Sequence, residues 1–280
     1  MPRIKTNDDI PDIQCMTEGF PKKYIPKVGS HNIRIPLEII RKDGSINPTK
    51  GLISVYTDLN AETKGANMSR FRIMIEEEVA NKTHNVVELI DTLLDDCKER
   101  CKSNNAYIKV KFDYFLMRTA PASKIKSHMD YEGWFEGRLE NGVKRFFMHA
   151  RVLYCSLCCC SKEISDYGAH NQQSYGDVTV ELTDIKNKEN YFWFEDLVDA
   201  IEASASAPMI NALKRIDEAY MTELAYENAK FIEDISRQIA ERLDLELDKK
   251  IKDYVIVLEH LESIHSSSVI AVLHANRELK

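Results

Sequence analysis

The sequence predicts an α+β fold, with antiparallel sheets carrying their helices on one face. Two patterns predict it. Strand-like apolar runs open the chain, two helical patterns follow, and strands return. The same order recurs in the second half, without strong sequence identity between the halves. The 280 residues, 44% of them apolar, can bury a sizeable core as one large domain or two small ones.

Taken in order, the first strands are "NIRIPLEII" from Asn32 and "GLISVYTDL" from Gly51, parted by the turn-rich "RKDGSINPTK". A helix carrying "RFRIMIEEEVA" is expected to begin near Ser69 as its N-cap. A second helix, after "NKTHN", places Val86, Ile90, Leu93, Cys97 and Cys101 at helical spacing, which reads both cysteines as core thiols. Strands follow from Ala106 ("AYIKVKFDYFLMR"), Gly142 ("GVKRFFMHARVLYCSL") and Asp177 ("DVTVELTDI"). "YFWFEDLVDAIEASAS" reads as helix. "ENAKFIEDISRQIAERLDLE" reads as one amphipathic helix with Phe231, Ile235, Ile239 and Leu243 on its apolar face. "KDYVIVLEHLES" and "SSSVIAVLHA" close the chain as strands.

Charge narrows the function classes. The net charge is -7 and no basic tail or domain is present, so a nucleic-acid surface is not the first reading, although a local basic pocket would still admit a polyanion. The polar start "MPRIKTNDDIPDIQ" has no apolar segment of a secretory signal, and no run approaches the ~18 apolar residues of a membrane span. The seven cysteines form an odd, clustered set, which argues for reduced thiols in a cytoplasmic protein.

Four of those cysteines fall in "YCSLCCCSKEISDYGAHNQQS", Tyr154 to Ser174, with His170 ten residues after the last of them. Cys155-x-x-Cys158 could be one knuckle of a structural zinc site, but no second knuckle accompanies it. A catalytic metal needs only about three protein ligands and an open position for water, and Cys158 or Cys160 with His170 would supply two. Glu262 and His265 in "LEHLESIHSSS" can converge on one ion at a strand end or on a helix; solvated surface use is the simpler reading. Glu202 in "DAIEASAS" is flanked by small residues that admit a close approach. "LKRIDEAY" gathers Lys214, Arg215, Asp217 and Glu218, either as an exposed helix end or as a carboxylate that accepts two N–H bonds from a guanine edge. Lys64, Arg70, Lys162, Lys214 and Arg215 would then meet a triphosphate. With neither G-x-G-x-x-G nor a Walker lysine motif in the chain, a nucleotide must be held in another way.

Six phrases, in this order, resemble GTP cyclohydrolase type IB, the prokaryotic family that opens folate-type pterin synthesis. They are "PDIQ" (from Pro11), "KGANMSRF" (from Lys64), "CCCSKEISDYGAHNQQS" (from Cys158), "LKRIDE" (from Leu213), "AYENAKFIEDISR" (from Ala225) and "ESIH" (from Glu262). The resemblance implies a tunneling fold of two tandem ββαα-type modules, about 1–140 and 141–280, in a homotetramer with active sites at subunit interfaces. It implies a divalent metal (zinc, manganese or iron) held by Cys158, His170, Glu202, Glu262 and His265, with Cys158, His170 and His265 catalytic. The purine-anchoring acid maps to Glu218, with Asp217 as its near neighbour. The implied reaction hydrolyses the imidazole ring of GTP at C8, expels formate and recloses to 7,8-dihydroneopterin triphosphate. Either His170 or His265 would move protons near neutral pH. The chain departs from the family pattern at Ala66 and Asn67, where Thr-His is usual, at Cys159, which replaces a proline, at Gln173, which replaces an arginine, and at Ile216, Ala229 and Ser267. Two other readings compete: a non-catalytic nucleotide- or metal-binding relative, and a T-fold enzyme such as a deazapurine nitrile reductase, whose motif is absent here.

Overall fold

Strand β1 (Ile25–Ile40) begins earlier than the apolar run suggests and pairs antiparallel with β2 (Ile46–Leu59). Asn32 inside β1 has φ 54°, a value asparagine tolerates better than most residues, and the register slips there between Ser30 and Ile33 as at a bulge. Helix α1 (Met68–Val79) starts after Asn67 rather than at Ser69. A two-residue β3 (Thr83–His84) pairs parallel with β1. Helix α2 (Val86–Cys101) is capped by Asn85, whose Oδ1 accepts the Val87 N–H at 3.1 Å. Cys97 is buried in the core as expected, while Cys101 is only half-buried.

Three long strands follow: β4 (Ala106–Thr119), β5 (Lys126–Glu140) and β6 (Val143–Leu157). No strand was expected at β5, because its glycines and acids mask a strict alternation of buried and exposed positions. The glycines are required by the packing above them. A Cβ on Gly133 would lie 2.4 Å from the Phe194 ring, and one on Gly137 2.4 Å from Ile90 Cγ2.

The second half adds α3 (Cys159–Ile164), β7 (Asn171–Leu182), α4 (Phe194–Glu202), β8 (Ala207–Pro208), α5 (Arg215–Glu227), α6 (Ile232–Asp244), β9 (Ile251–His260) and β10 (Val269–His274). The helix expected from Glu227 begins only at Ile232, since α5 ends at Glu227. Asp234 accepts the Phe231 N–H and starts α6, so Phe231 is its N-cap and exposed, not part of its apolar face. Ile232 takes that place beside Ile235, Ile239 and Leu243.

Among the described residues, the ten strands form one sheet in the order β10-β9-β7-β6-β5-β4-β2-β1-β3, with β8 pairing β6, and every strand pairing but β1 with β3 is antiparallel. The expected module boundary falls in the Asn141–Gly142 turn between β5 and β6, in the middle of this continuous sheet. Helices α1, α2, α4 and α6 bury their apolar faces against one side of it, so that Leu93, Leu197 and Ile235 share a core with Ile108, Met148 and Ile256. The opposite face is polar and aromatic; there Trp134 stacks on His149 at 4.8 Å and takes Lys109 Nζ over its ring at 3.6 Å. This computed structural model describes residues 13, 18–183, 185 and 191–275; Pro11, Asp12 and Gln14 of the "PDIQ" phrase, and Asp184 at the end of the strand expected from Asp177, lie outside them. Among the described residues no helix is long and apolar enough to cross a membrane.

Candidate active site

Three segments meet at one edge of the sheet: the end of β6 with α3, the start of β7, and the end of β9. Strand pairing brings them there. Leu157 pairs with Asn171, and the Cys158 N–H donates to the His170 carbonyl at 3.1 Å. On the other side of β7, Ser174 pairs with His260, and the Leu261 N–H donates to the Gln173 carbonyl at 3.1 Å. Cys158 therefore follows the strand end beside His170, and the turn carrying Glu262 folds against His170 and Gln172.

Cys158 is the N-cap of α3, and its sulfur accepts the Ser161 N–H at 3.4 Å. Ser161 Oγ donates to the Cys158 carbonyl and accepts the His170 N–H, which fixes the two segments against each other. His170 Nδ1 lies 3.0 Å from Gln172 Oε1 and 3.9 Å from Glu262 Oε2. Gln172 Nε2 donates to Glu262 Oε1 at 3.3 Å. An ionised carboxylate only accepts, so the amide nitrogen of Gln172 faces Glu262 and its carbonyl faces His170. A proton on His170 Nδ1 matches this arrangement, so in the neutral ring Nε2 carries the lone pair. Sequence reading missed Gln172, although its position two residues after His170 on a strand was a signal that both side chains share a face.

Beneath this edge, Tyr154 Oη contacts His260 Nε2 at 3.1 Å and Ser156 bonds Ser174 at 2.8 Å. Burial pushes the His260 imidazolium down to a pKa of about 4, so this ring is neutral at neutral pH.

A cleft of about 250 Å³ opens beside the edge, between Gln172 and Gln173 of β7, Pro208 of β8, and Met221 and Ala225 of α5. Glu218 is exposed one turn before Thr222 on the helix that forms this wall. Its neighbour Asp217 has a different task. It is fully buried and accepts the N–H groups of Ala122, Ser123 and Lys214 at 2.8–2.9 Å. Desolvation opposes its ionisation, but those hydrogen bonds win and hold its carboxyl well below the usual range. Asp217 thus anchors the β4–β5 turn to α5, and Glu218 is left exposed.

The remaining expected site residues do not join this cluster within one chain. Glu202, at the end of α4, accepts from Tyr131 Oη at 2.5 Å and pairs with Arg118 at 2.8 Å. Tyr131 lies one residue past the Glu132–Arg151 rung, some six residues before Cys158 along β6, or roughly 20 Å at ~3.3 Å per residue. Desolvation raises the Glu202 pKa, partly offset by Arg118 and Tyr131. Within the chain, Glu202 is an ion-pair partner of Arg118. His265 is exposed on the hairpin after Glu262. Among the described residues no three His, Cys, Asp or Glu side chains are already arranged to hold a metal ion.

The five basic residues also separate. Lys162 Nζ donates to the Tyr226 carbonyl at 2.6 Å near the end of α5, whereas Lys214 and Arg215 stand at its start. The 13 residues of α5 put those groups about 20 Å apart. Lys64 and Arg70 are on the opposite edge of the sheet. They follow β2, whose Thr57 pairs with Ala106, which pairs with Leu139, which pairs with Lys144 at the start of β6. Cys158 follows the other end of that 15-residue strand, roughly 50 Å away along it at ~3.3 Å per residue. Arg70 donates to the Arg100 carbonyl at 2.6 Å and borders a second cleft, of about 260 Å³, with Asn67, Cys101 and Ser103.

A family model described as Type I GTP cyclohydrolase folE2 matches residues 10–271. The chain belongs to this family. It is 39% identical to the GTP cyclohydrolase FolE2 of Thermosipho africanus over 251 residues, covering 89% of this chain and 92% of that one. It is 38% identical to the FolE2 of Paraburkholderia xenovorans, covering 96% of each chain, and 40% identical to that of Cupriavidus pinatubonensis, covering 97% and 96%. The solved uricase of Arthrobacter globiformis superposes with a TM-score of 0.55 at 7% identity, over 91% of this chain and 94% of that one. That likeness is one of fold, and this chain has the tunneling fold.

Proposed function

We propose that this chain is a metal-dependent GTP cyclohydrolase of folate and pterin synthesis. It opens the imidazole ring of GTP at C8, releases formate and recloses the product to 7,8-dihydroneopterin triphosphate. One observation carries the reading beyond family membership: Cys158, His170 and Glu262, far apart in sequence, are gathered at one sheet edge beside a cleft bordered by the helix of Glu218.

The donor set fits a divalent ion by its chemistry. A thiol, an imidazole with Nε2 unprotonated, and a carboxylate suit zinc, and the carboxylate also tolerates manganese or iron. Cys158, His170 and Glu262 would hold the ion, and His265 on the adjoining hairpin is within the same segment. Such an ion supplies a Lewis acid and lowers the pKa of a bound water.

The chain's own residues do the rest. Glu218 accepts the two N–H groups on the guanine edge and sets the base in the cleft beside Gln172. Gln172 and Glu262 fix the tautomer and orientation of His170. His265, free on its hairpin, is the group that moves a proton during ring opening. Lys214 and Arg215 lie on the Glu218 side, where they meet phosphate oxygens.

Lys64 and Arg70 reach this site only from another copy, since a single chain holds them on the far edge. This separation supports an interfacial site, and the family resemblance supplies the homotetramer. The edge strand β10 supports it, since it exposes Val269, Ile270 and Val272 along an unpaired edge of the sheet. Free thiols in all six described cysteines suit a cytoplasmic enzyme. The test is product analysis. Incubation of GTP with the protein and manganese or zinc should give formate and a pterin that fluoresces after oxidation, and Cys158→Ala should give neither. Folded protein that is inactive with every metal contradicts the reading.

A further inference from the structure

We propose that Cys97 and Cys101 form a peroxide-reactive dithiol at the end of α2, which closes to a disulfide and thereby moves Arg70. Neither cysteine belongs to the metal edge; both lie in the other half of the chain. They stand four residues apart on one helix, Cys97 fully buried and Cys101 half-buried on the wall of the second cleft. That cleft gives a small oxidant access to one sulfur only.

The surroundings assign the roles. The neighbouring Cys101 sulfur and burial both raise the Cys97 pKa and keep it protonated. The neighbouring Cys97 thiol lowers the Cys101 pKa against the cost of its partial burial, and the Arg70 and Arg100 guanidinium groups outweigh the opposing Asp96 carboxylate. A cysteine near cationic side chains and open to solvent is the reactive kind. Cys101 is therefore the attacking sulfur and Cys97 the resolving one.

The oxidant is a hydroperoxide. The Cys101 thiolate attacks one peroxide oxygen, an S–O bond forms, the O–O bond breaks and hydroxide (or alkoxide) leaves with two electrons taken from sulfur. The Cys97 sulfur, giving up its proton, then attacks the Cys101 sulfenic sulfur; the S–S bond forms and the S–O oxygen departs as water. Residues four apart on a helix rise about 6 Å, within the ~4.4–6.8 Å Cα span of disulfides. Their Cβ atoms are about 5–6 Å apart and a disulfide needs about 3.8 Å, so the last turn of α2 must draw inward. The carbonyl that accepts Arg70 belongs to Arg100, in that same turn. Oxidation therefore shifts Arg70. The thiol chemistry stands independently of the cyclohydrolase reading; only its effect on GTP affinity rests on that reading.

The test treats the folded, full-length protein with a tenfold excess of hydrogen peroxide, blocks remaining thiols and digests with trypsin. Lys98 and Arg100 lie between the two cysteines, so the peptides stay joined only through a disulfide. The expected result is a Cys97–Cys101 link reversed by dithiothreitol. The Cys97→Ser variant should stop at a Cys101 sulfenic acid that a cyclic 1,3-dione traps, and Cys101→Ser should show neither product. A Cys101 that remains a free thiol in the folded wild type, or Cys97→Ser without a dione adduct at Cys101, overturns the dithiol. In assays, peroxide should raise the KM for GTP severalfold in a way that dithiothreitol reverses and Cys101→Ser abolishes. A link that forms without moving KM overturns the effect on Arg70.

Discussion

His170 Nδ1 stands 3.0 Å from Gln172 Oε1, and the other end of the same amide donates to Glu262. The polarity of this chain sets the imidazole tautomer, because the carboxylate can only accept. Replacing Gln172 by Leu removes both bonds at nearly the same volume. Outer-sphere partners of metal-binding histidines are typically worth 10–100-fold in affinity. Gln172→Leu should therefore weaken zinc or manganese binding by roughly 10–100-fold, read by competition with a chelator, while the melting temperature of the metal-free protein changes little. Unchanged metal affinity would remove Gln172 from the account.

Adjacent acids on α5 should part company under mutation. Glu218→Ala should fold normally and raise the KM for GTP by roughly 10–100-fold, as expected for a charged acceptor of two hydrogen bonds worth about 1.5–3 kcal/mol. Asp217→Ala should instead lower the melting temperature, because it strands the buried N–H groups of Ala122, Ser123 and Lys214. Thermal melts and GTP kinetics on both variants check this; a reversal of the two phenotypes would assign the purine anchor to Asp217.

Glu202 is held by Arg118 and Tyr131. Glu202→Leu should leave the metal content of the purified protein unchanged. It should destabilise the fold by about 1–3 kcal/mol, since Arg118 loses a mostly buried partner. Metal analysis and urea unfolding separate these outcomes, and loss of metal with unaltered stability would place Glu202 among the ligands.

His260 makes stability depend on pH. Its folded pKa, about 4, lies below the usual 6.5 of histidine, because burial beneath the edge disfavours the charged ring. The unfolded chain thus binds the proton more readily. Stability is full above pH ~6.5 and falls between there and pH ~4, by up to about 3 kcal/mol in all from this residue. His260→Asn should flatten that slope in the metal-free protein, measured as unfolding free energy against pH. A slope equal to that of the wild type would contradict it.

What the sequence made legible follows from what it can encode locally. The strand and helix order was readable because β1, β2, β4, α2 and β9 keep clean apolar periodicity. Strand β5 was hidden because Gly133 and Gly137 look like breakers, and their purpose, room for Phe194 and Ile90, exists only in the packed fold. The break between α5 and α6 was hidden because Phe231 fits the apolar spacing, while the Asp234 cap that exposes it is a local polar contact. At the site, Cys158, His170 and Glu262 come together through strand pairing, which preserves neighbours across β6, β7 and β9. The separation of Arg70 from Cys158 was not legible, since only the sheet order shows that they flank opposite ends of β6.

That separation motivates the central proposal: one active site would be built from two edges supplied by different copies of the chain. The direct measurement mixes two inactive proteins, Arg70→Ala and Cys158→Ala, under conditions that exchange subunits, and follows formate release from GTP. Each mixed interface that pairs the intact Cys158 edge with the intact Arg70 edge restores one site, so activity should rise toward roughly a quarter of wild type for random mixing. Mixed assemblies that form and stay as inactive as either parent would contradict the account.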